Sequence, residues 1–338
     1  MAPDLPPLPE RDRLTPEQFA QDIQPAGEPV VIRGLAAHWP AVALAGEHDA
    51  LGDYLRRGAG AKLHDPVDVM RAHESVGGRF FYDAADMGRF NFQQAKVPFS
   101  AFLDRLLGGT DGEAVYMGSN PAPAVVPDIV SDFALDLVPG GTVPRLWIGN
   151  RSVVSTHNDH SSNIACVVAG TRTFTLFPPE QVGNLYVGPI EHNMAGSQTS
   201  LVDLHAPDLE RHPRFTEALA SARSATLHPG DAIYIPPLWW HDVRADNPLS
   251  VLVNFWWDDR PEISRVPMEA FVLSTLALRQ LPAPERRAWQ ALFDHFIFEE
   301  DGPAMAHLPD EHRGVLGPIN PERANALWAF FRKLMTEG

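Results

Sequence analysis

The sequence is poor in cysteine, in long apolar runs and in basic side chains, and each shortage excludes a class of protein. Cys166 is the one cysteine in 338 residues, so an internal disulfide cannot form. No apolar stretch reaches the length of about 18 residues that crosses a bilayer. Residues 1–7 lack the basic start and apolar run of a signal peptide. We therefore expect a cytoplasmic protein that does not span a membrane.

The shortage of basic side chains bears on possible partners. Lysine and arginine number 27 against 43 acidic residues, which gives a formal net charge of −16. A phosphate backbone would be repelled by this charge, so nucleic acid is an unfavoured partner. Hydrophobic residues make up 44% of the chain, which is the balance of a folded globular protein and not of a disordered one.

Proline and glycine are abundant and indicate the fold class. The 32 prolines and 25 glycines break the first 260 residues into short pieces, which is typical of a β-rich fold with many turns. Apolar runs of strand length occur at 146–148, 164–168, 173–177, 232–235 and 251–256. They predict one barrel or sandwich, with Cys166 as a small core residue. Helices are predicted at 15–23, capped by Thr15, and at 100–107, capped by Ser100.

The pattern of apolar residues changes after Pro261. Helical spacing with few β-branched residues predicts helices at 268–278, 284–298 and 323–335. We therefore divide the chain into a β-rich domain at 1–261 and a C-terminal helical region at 262–338. These helices carry more large apolar residues than a lone helix can shield from water, so they must pack on the barrel or on a second subunit. The second of these possibilities is a homodimer formed through the C-terminal helices.

The most informative local feature is a pair of motifs that contain histidine. His157 and Asp159 are two apart on an extended segment and point to the same side, and His241 on a neighbouring strand can complete one face. Two imidazoles and one carboxylate leave three positions of an octahedron open, as non-haem Fe(II) needs for a chelating cosubstrate and oxygen. A His-x-Asp pattern alone occurs by chance in many proteins. The segment from Gly230 to His241, however, resembles the second motif of cupin barrels.

Three further runs make the resemblance more specific. Residues 170–179 (GTRTFTLFPP), 234–241 (YIPPLWWH) and 253–256 (VNFW) resemble the JmjC (cupin-like) hydroxylases. Within that family the chain is most similar to the asparaginyl hydroxylases, the group of factor inhibiting HIF, over residues 28–258. The resemblance implies a mainly β fold, a double-stranded β-helix (jelly-roll) barrel with flanking N-terminal helices. It also implies Fe(II), 2-oxoglutarate as cosubstrate, and O2. Because similar hydroxylases dimerise through C-terminal helices, the resemblance together with the apolar helices after Pro261 predicts a homodimer.

Carried over position by position, the resemblance assigns roles to eight residues. It implies that the metal ligands, and so the catalytic residues, are His157, Asp159 and His241. It implies that the cosubstrate-binding residues are Arg172, Asn163, Asn254, Tyr116 and Trp256.

Some of these positions depart from the family pattern. In the family a basic residue binds the far carboxylate of 2-oxoglutarate, and in close members this residue is lysine. Arg172 occupies the position here, and its planar guanidinium can bind a carboxylate through two nitrogen atoms. The number of residues between Tyr116 and His157 also differs from that in the close relatives. The threonine expected three residues before the first ligand is Val154, so either Ser155 or Thr156 substitutes for it, or that hydrogen bond is absent. His160, next to Asp159, is expected to point to the opposite face. His192 and His205 lie in the loop predicted between the two ligand strands and are not expected to be functional residues.

The favoured hypothesis is hydroxylation of an amino-acid side chain in a protein or peptide, with succinate and CO2 as coproducts. It rests on the family resemblance alone. Two alternatives stay open. One is an oxygenase that acts on a small metabolite or RNA, and the other is a metal-binding cupin without oxygenase activity. Arg172 argues against the second, because such a cupin has no need of a cation opposite the metal.

Overall fold

The computed structural model describes residues 5–194, 196, 198–259 and 267–337. The chain divides into two compact units, Met1–Asp258 and Asp259–Gly338. The predicted boundary between residues 261 and 262 falls outside the described residues, so the division at that point stays a prediction. A search of the described helices finds none with the length and apolarity that crossing a membrane requires.

The described part of the first unit is built mainly of β-strands. Their bounds are β1 (Glu10–Asp12), β2 (Val30–Arg33), β3 (Pro66–Ala72), β4 (Gln93–Pro98), β5 (Ala114–Pro121), β6 (Pro144–Gly149), β7 (Ser152–Asn158), β8 (Ser162–Ala169), β9 (Arg172–Phe177), β10 (Arg223–Leu227), β11 (Ala232–Ile235), β12 (Trp240–Ala245) and β13 (Ser250–Trp257). The helices are α1 (Pro16–Gln18), which continues as a π-helical segment over Phe19–Ile23, α2 (Pro40–Ala43), α3 (His48–Ala59), α4 (Phe99–Leu107), α5 (Ala122–Val125) and α6 (Phe215–Ser221). Short 3-10 segments lie at Gly60–Lys62, Glu74–Val76, Pro127–Phe133 and Pro179–Gly183.

The strands form two sheets. The larger has the order β1-β2-β11-β8-β13-β6-β5-β3-β4 and the smaller β10-β9-β12-β7. Neighbouring strands pair antiparallel except β1 and β2, which pair parallel. Apolar residues of both sheets, such as Phe174 and Val243 from the smaller and Val167 and Leu252 from the larger, share one buried cluster. The predicted mainly β, jelly-roll type of fold is confirmed.

Strand β8 shows how the sequence builds the two layers. Every residue of Ser162–Ala169 is buried, as expected for a central strand covered on both faces. Ala165 and Val167 belong to the cluster between the sheets, whereas Ile164, Cys166 and Val168 pack in the core shared with the helices. Burial raises the pKa of the Cys166 thiol. Cys166 is therefore a core residue, as predicted, and not an activated nucleophile.

The N-terminal helix begins as predicted and the second predicted helix does not. The hydroxyl of Thr15 accepts from the backbone N–H of Gln18, and the Gln18 side chain accepts from the N–H of Thr15. Helix α4 begins at Phe99, and Pro98 holds the N-cap position. The prediction of Ser100 as a cap was wrong, because Ser100 lies inside the first turn and its hydroxyl bonds to Nδ1 of His64 at 3.0 Å.

The second unit is helical over its described residues. Its helices are α7 (Pro267–Leu278), α8 (Ala283–Phe296) and α9 (Pro321–Glu337), with 3-10 turns at Asp310–His312 and Gly314–Leu316. The three predicted helices are thus present. Helices α7 and α8 contain no buried residue, and Leu276 on α7 is 80% exposed. Dimerisation through this unit stays a prediction.

Candidate active site

The two histidines of the motifs lie side by side on the smaller sheet. His157 near the end of β7 and His241 near the start of β12 are directly opposed partners in the antiparallel ladder. Opposed residues share a face of the sheet, and the two imidazole centres are 4.2 Å apart. The ladder therefore brings together two ligands that are far apart in the chain.

A β-bulge in β7 sets which side chains reach the inner face. Val243 pairs with Val154 and His241 with His157, so Asp242 alone opposes both Ser155 and Thr156. Without the extra residue, Val154 and His157 would point to opposite faces, because side chains alternate along a strand. With it, both line the same cavity.

The bulge bears on the hydrogen bond of the family's threonine, which the sequence left open: either Ser155 or Thr156 supplies it, or it is absent. The Ser155 hydroxyl accepts from Nε of Arg79 at 3.0 Å, and neither Ser155 nor Thr156 lines the cavity. The wall position three residues before the first histidine is filled by Val154, which has no polar atom in its side chain. Of the options left open by the sequence, the structure favours the absence of that hydrogen bond.

Asp159 follows directly after β7 and completes the group. Its backbone carbonyl accepts from the N–H of Leu238 at 2.7 Å, which ties it to the turn before β12. Its carboxylate oxygen Oδ2 lies 3.6 Å from Nε2 of His241 and accepts from Nε1 of Trp256 at 3.1 Å. Ligand atoms of His157, Asp159 and His241 all lie within 4.8 Å of one another. This separation suits three donors to one metal ion.

Hydrogen bonds set the tautomer of both imidazoles. Nδ1 of His157 lies 2.9 Å from the carbonyl oxygen of Ser155, and Nδ1 of His241 lies 3.0 Å from that of Trp239. A carbonyl oxygen can only accept, so each Nδ1 carries the proton and each Nε2 keeps its lone pair for a metal. Burial, with the nearby His157 adding to it and Asp159 opposing it, lowers the pKa of His241 to about 4. His241 is therefore neutral at neutral pH, the form that binds metal.

A cavity between the two sheets extends from this group. All eight residues singled out in the sequence line it. The complete lining is Tyr116, Trp147, Val154, His157, Asp159, Asn163, Ala165, Arg172, Phe174, His241, Val243, Leu252, Asn254 and Trp256. The metal-binding candidates come from or adjoin the smaller sheet, whereas the amides and indoles come from the larger. The site therefore exists only where the two sheets face each other.

Two buried amides are connected within the cavity wall. Trp147 donates from Nε1 to Oδ1 of Asn254 at 2.6 Å, and Nδ2 of Asn254 donates to Oδ1 of Asn163 at 3.0 Å. Sequence reasoning missed Trp147. The signal was available, since Trp147 lies in the apolar run 146–148 and a buried indole N–H requires an acceptor. The chain of bonds leaves Nδ2 of Asn163 without a protein acceptor among the described residues, and it can donate to a ligand.

Arg172 is a buried cation in the cavity wall. It is 3% exposed, and its guanidinium donates to the hydroxyl of Ser250 at 3.1 Å and the carbonyl of Trp147 at 3.4 Å. Both acceptors are uncharged. Within the described ranges no carboxylate lies within ion-pair distance of it. Burying a charge without a counter-charge is costly, so this arrangement favours an anionic ligand.

Tyr116 supplies a second unused polar group. Its side chain is 2% exposed, and its hydroxyl is one of the few buried polar atoms in the described structure without a hydrogen-bond partner. Its ring stacks on Phe80 at 5.8 Å and tilts against Trp147 at 6.2 Å. A buried hydroxyl without a partner costs about 1–3 kcal/mol, which a ligand oxygen would offset.

The other histidines near the site have different surroundings. His205 approaches Asp242 at 3.1 Å on the outer side of β12, and His192 stacks on Phe90 with ring centres 4.8 Å apart. Neither these two nor His160 lines the cavity. Among the described residues they do not belong to the group of metal-binding candidates.

The chain is similar to known proteins over more than two thirds of its length. A family model described as a cupin-like domain matches residues 16–263. Jumonji C domain-containing protein 5 of Drosophila melanogaster is 28% identical over 74% of this chain and 60% of its own length. Lysine-specific demethylase 8 of Danio rerio is 30% identical over 71% of this chain and 56% of its own length. A human bifunctional peptidase and (3S)-lysyl hydroxylase is 28% identical over 72% of this chain and 81% of its own length. The chain spans about half the length of the first two relatives.

Proposed function

We propose, since this chain belongs to the cupin-like domain family, that it is an Fe(II)- and 2-oxoglutarate-dependent oxygenase that hydroxylates an amino-acid side chain of a protein or peptide. The observation that carries the proposal is Arg172. It is a buried guanidinium without a carboxylate partner among the described residues, in the wall of the same cavity that holds two histidines and an aspartate. A protein that only binds a metal has no use for this cation.

The metal would be held by His157, Asp159 and His241. Two neutral imidazoles and one carboxylate suit Fe(II) and leave three coordination positions for cosubstrate and oxygen. When bound together, Fe(II), 2-oxoglutarate and O2 convert a substrate C–H into C–OH, with one oxygen atom in the hydroxyl and the other in succinate as CO2 leaves. Trp256 holds the Asp159 carboxylate through its indole N–H, and the carbonyls of Ser155 and Trp239 hold the two rings.

The cosubstrate would lie along the cavity with its far carboxylate at Arg172. The guanidinium supplies charge and a planar pair of donors, and the unpartnered Tyr116 hydroxyl supplies a further one. The free Nδ2 of Asn163 is available for a second ligand oxygen, while Asn254 orients Asn163. Each of these donors is in place before the ligand arrives, so little ordering is required on binding.

The relatives support a protein or peptide substrate. Two of them are named as a lysine-specific demethylase and a lysyl hydroxylase, and both names describe action on lysine. The sequence motifs instead resemble asparaginyl hydroxylases, so the residue that this chain modifies is left open between the two. Both resemblances support oxidation of an amino-acid side chain in a polypeptide.

The test is turnover after anaerobic reconstitution with Fe(II). Protein, 2-oxoglutarate and air are mixed with peptide pools centred on asparagine or lysine, and succinate and a peptide mass gain of one oxygen atom are measured. We expect both products in equal amounts from the wild type. His157→Ala removes a ligand and should abolish both, whereas His160→Ala, a matched loss of a neighbouring imidazole, should retain at least half of the activity.

Three results would count against the proposal. Failure of 2-oxoglutarate to bind the metal-loaded protein would refute the oxygenase. Succinate formation that His157→Ala leaves unchanged would refute the metal site. Succinate formation with a small metabolite or RNA, and with no peptide, would refute the polypeptide substrate and leave the oxygenase.

A further inference from the structure

Arg145 is a second cation beside the cavity, at a different end from Arg172. It lies on β6, directly opposite Asn254 on β13. Arg172 contacts Ser250, the first residue of the same β13 strand. Ser250 and Asn254 are four residues apart along β13, which corresponds to about 13 Å at the usual rise per residue. A cosubstrate whose far carboxylate is at Arg172 therefore leaves Arg145 unused.

Trp256 links the guanidinium of Arg145 to one of the proposed metal ligands, Asp159. Carbon Cζ of Arg145 is 5.6 Å from the centre of the Trp256 ring. That indole in turn donates to Oδ2 of Asp159. Arg145 and Trp256 are both half-buried, so this is a partly open edge of the cavity. A substrate that approaches the metal here would meet Arg145.

A bulge in the neighbouring strand holds the guanidinium in place. The ladder between β5 and β6 shifts register between Met117 and Asn120, and Ser119 within the bulge has a φ of +55°. Both oxygen atoms of Ser119 accept from Arg145, the hydroxyl from Nε at 2.7 Å and the carbonyl from Nη2 at 2.7 Å. The backbone of β5 is thus shaped around the cation, which is ordered before any ligand binds.

The charge of Arg145 has no counter-charge in the described structure. Its acceptors are the two uncharged oxygens of Ser119, and no described carboxylate lies within ion-pair distance. Burial accordingly lowers the pKa of Arg145. Arg33, by contrast, pairs with Glu10 and Asp231, and its pKa is raised. Among the described residues Nη1 of Arg145 has no acceptor, and it is not one of the buried atoms without a partner, so solvent reaches it.

We propose that Arg145 binds a carboxylate of the substrate and so selects peptides that carry an acidic side chain close to the modified residue. The inference rests on the proposed function and narrows its substrate class. Arg145 is a specificity residue in this scheme. It presents a preorganised guanidinium, with donors left over, near the metal-binding group. The carboxylate of an Asp or Glu side chain is planar and can accept hydrogen bonds from two nitrogen atoms of a guanidinium.

The test measures binding and not turnover. The full chain is immobilised, loaded with Zn(II) and 2-oxoglutarate, and exposed to a synthetic library of random dodecapeptides. We expect the retained peptides to be enriched at one position in Asp and Glu over Asn and Gln by at least fivefold. Arg145→Gln should remove the enrichment, and Arg145→Glu should replace it with enrichment in Lys and Arg.

Two further variants separate recognition from folding. Arg145→Lys keeps the positive charge and should keep an acidic preference, even if it loosens the bulge. Arg151→Gln removes an equal charge from an exposed position after the other end of β6 and should bind like the wild type. The proposal is overturned if the wild type shows no acidic enrichment or if the enrichment survives in Arg145→Gln. Acidic enrichment without succinate formation would instead refute the oxygenase and leave Arg145 as a recognition residue.

Discussion

Replacing Arg172 by methionine should act in opposite directions on cosubstrate binding and on the stability of the ligand-free protein. In the ligand-free state the guanidinium is buried, with two hydrogen bonds to uncharged oxygens, one of them long at 3.4 Å. Each such bond contributes about 0.5–1.5 kcal/mol, whereas an unpaired buried charge costs several kcal/mol. Methionine has a similar length and no charge. We expect the free energy of unfolding to be unchanged or to rise by up to about 2 kcal/mol.

The effect on 2-oxoglutarate should be large and unfavourable. Removing one partner of a buried, hydrogen-bonded charge pair costs about 2–5 kcal/mol, which corresponds to a Kd about 30- to 4,000-fold higher. Urea unfolding of the metal-free protein measures the first quantity. Anaerobic titration calorimetry with the Fe(II)-loaded protein measures the second.

Arg33→Met is the matched control. Arg33 pairs with Glu10 and Asp231 away from the cavity, so its loss should lower the free energy of unfolding by about 1 kcal/mol and leave 2-oxoglutarate affinity unchanged. The reasoning is refuted if Arg172→Met binds 2-oxoglutarate within about threefold of the wild type. It is equally refuted if that variant loses more than about 2 kcal/mol of ligand-free stability, because Arg172 would then be a structural residue.

Three other outcomes follow from the structure. Tyr116→Phe deletes only a hydroxyl without a partner, so the ligand-free protein should be at least as stable in urea and the Kd for 2-oxoglutarate should rise about tenfold; a loss of stability would contradict this. Trp256→Phe removes the donor to Asp159 and should weaken Fe(II) binding about 10- to 100-fold in competition with a chelator, and unchanged affinity would show that the contact is incidental. The full chain should be a dimer by light scattering at micromolar concentration and a chain ending at Asp259 a monomer, whereas a monomeric full chain would refute dimerisation through the helices.

Five of the strands, β6, β8, β9, β11 and β13, could be predicted because each contains a local apolar run. The eight candidate residues came from the family resemblance, and the structure brings them to one cavity, while their roles stay predictions. The bulge at Ser155 and Thr156 could not be predicted, because it depends on which residues of β12 lie opposite. A strict alternation would have put Val154 and His157 on different faces. The missing hydrogen bond at Val154 therefore became apparent only from the ladder.

Helix α3 was missed for a different reason. Gly52 and Gly58 lower its intrinsic helix propensity. Each allows close approach of another element, since a Cβ at Gly52 would clash with the side chain of Leu107 and one at Gly58 with that of Ile129. Tertiary packing thus selected residues that the helix alone disfavours. Helix α3 is therefore absent from the helices predicted for the first 260 residues.

The ladder between β7 and β12 has a consequence for biosynthesis. The two strands that carry His157 and His241 are neighbours in space, but the whole of β8 to β11 is made between them. A nascent chain that has emerged only as far as β11 has one imidazole and one carboxylate, and it lacks the strand that would close the chelate. The entropy of closing so long a loop is recovered only when the smaller sheet is complete. Capture of the proposed metal should therefore be a late event, because a chain that ends before β12 lacks one of its three ligands.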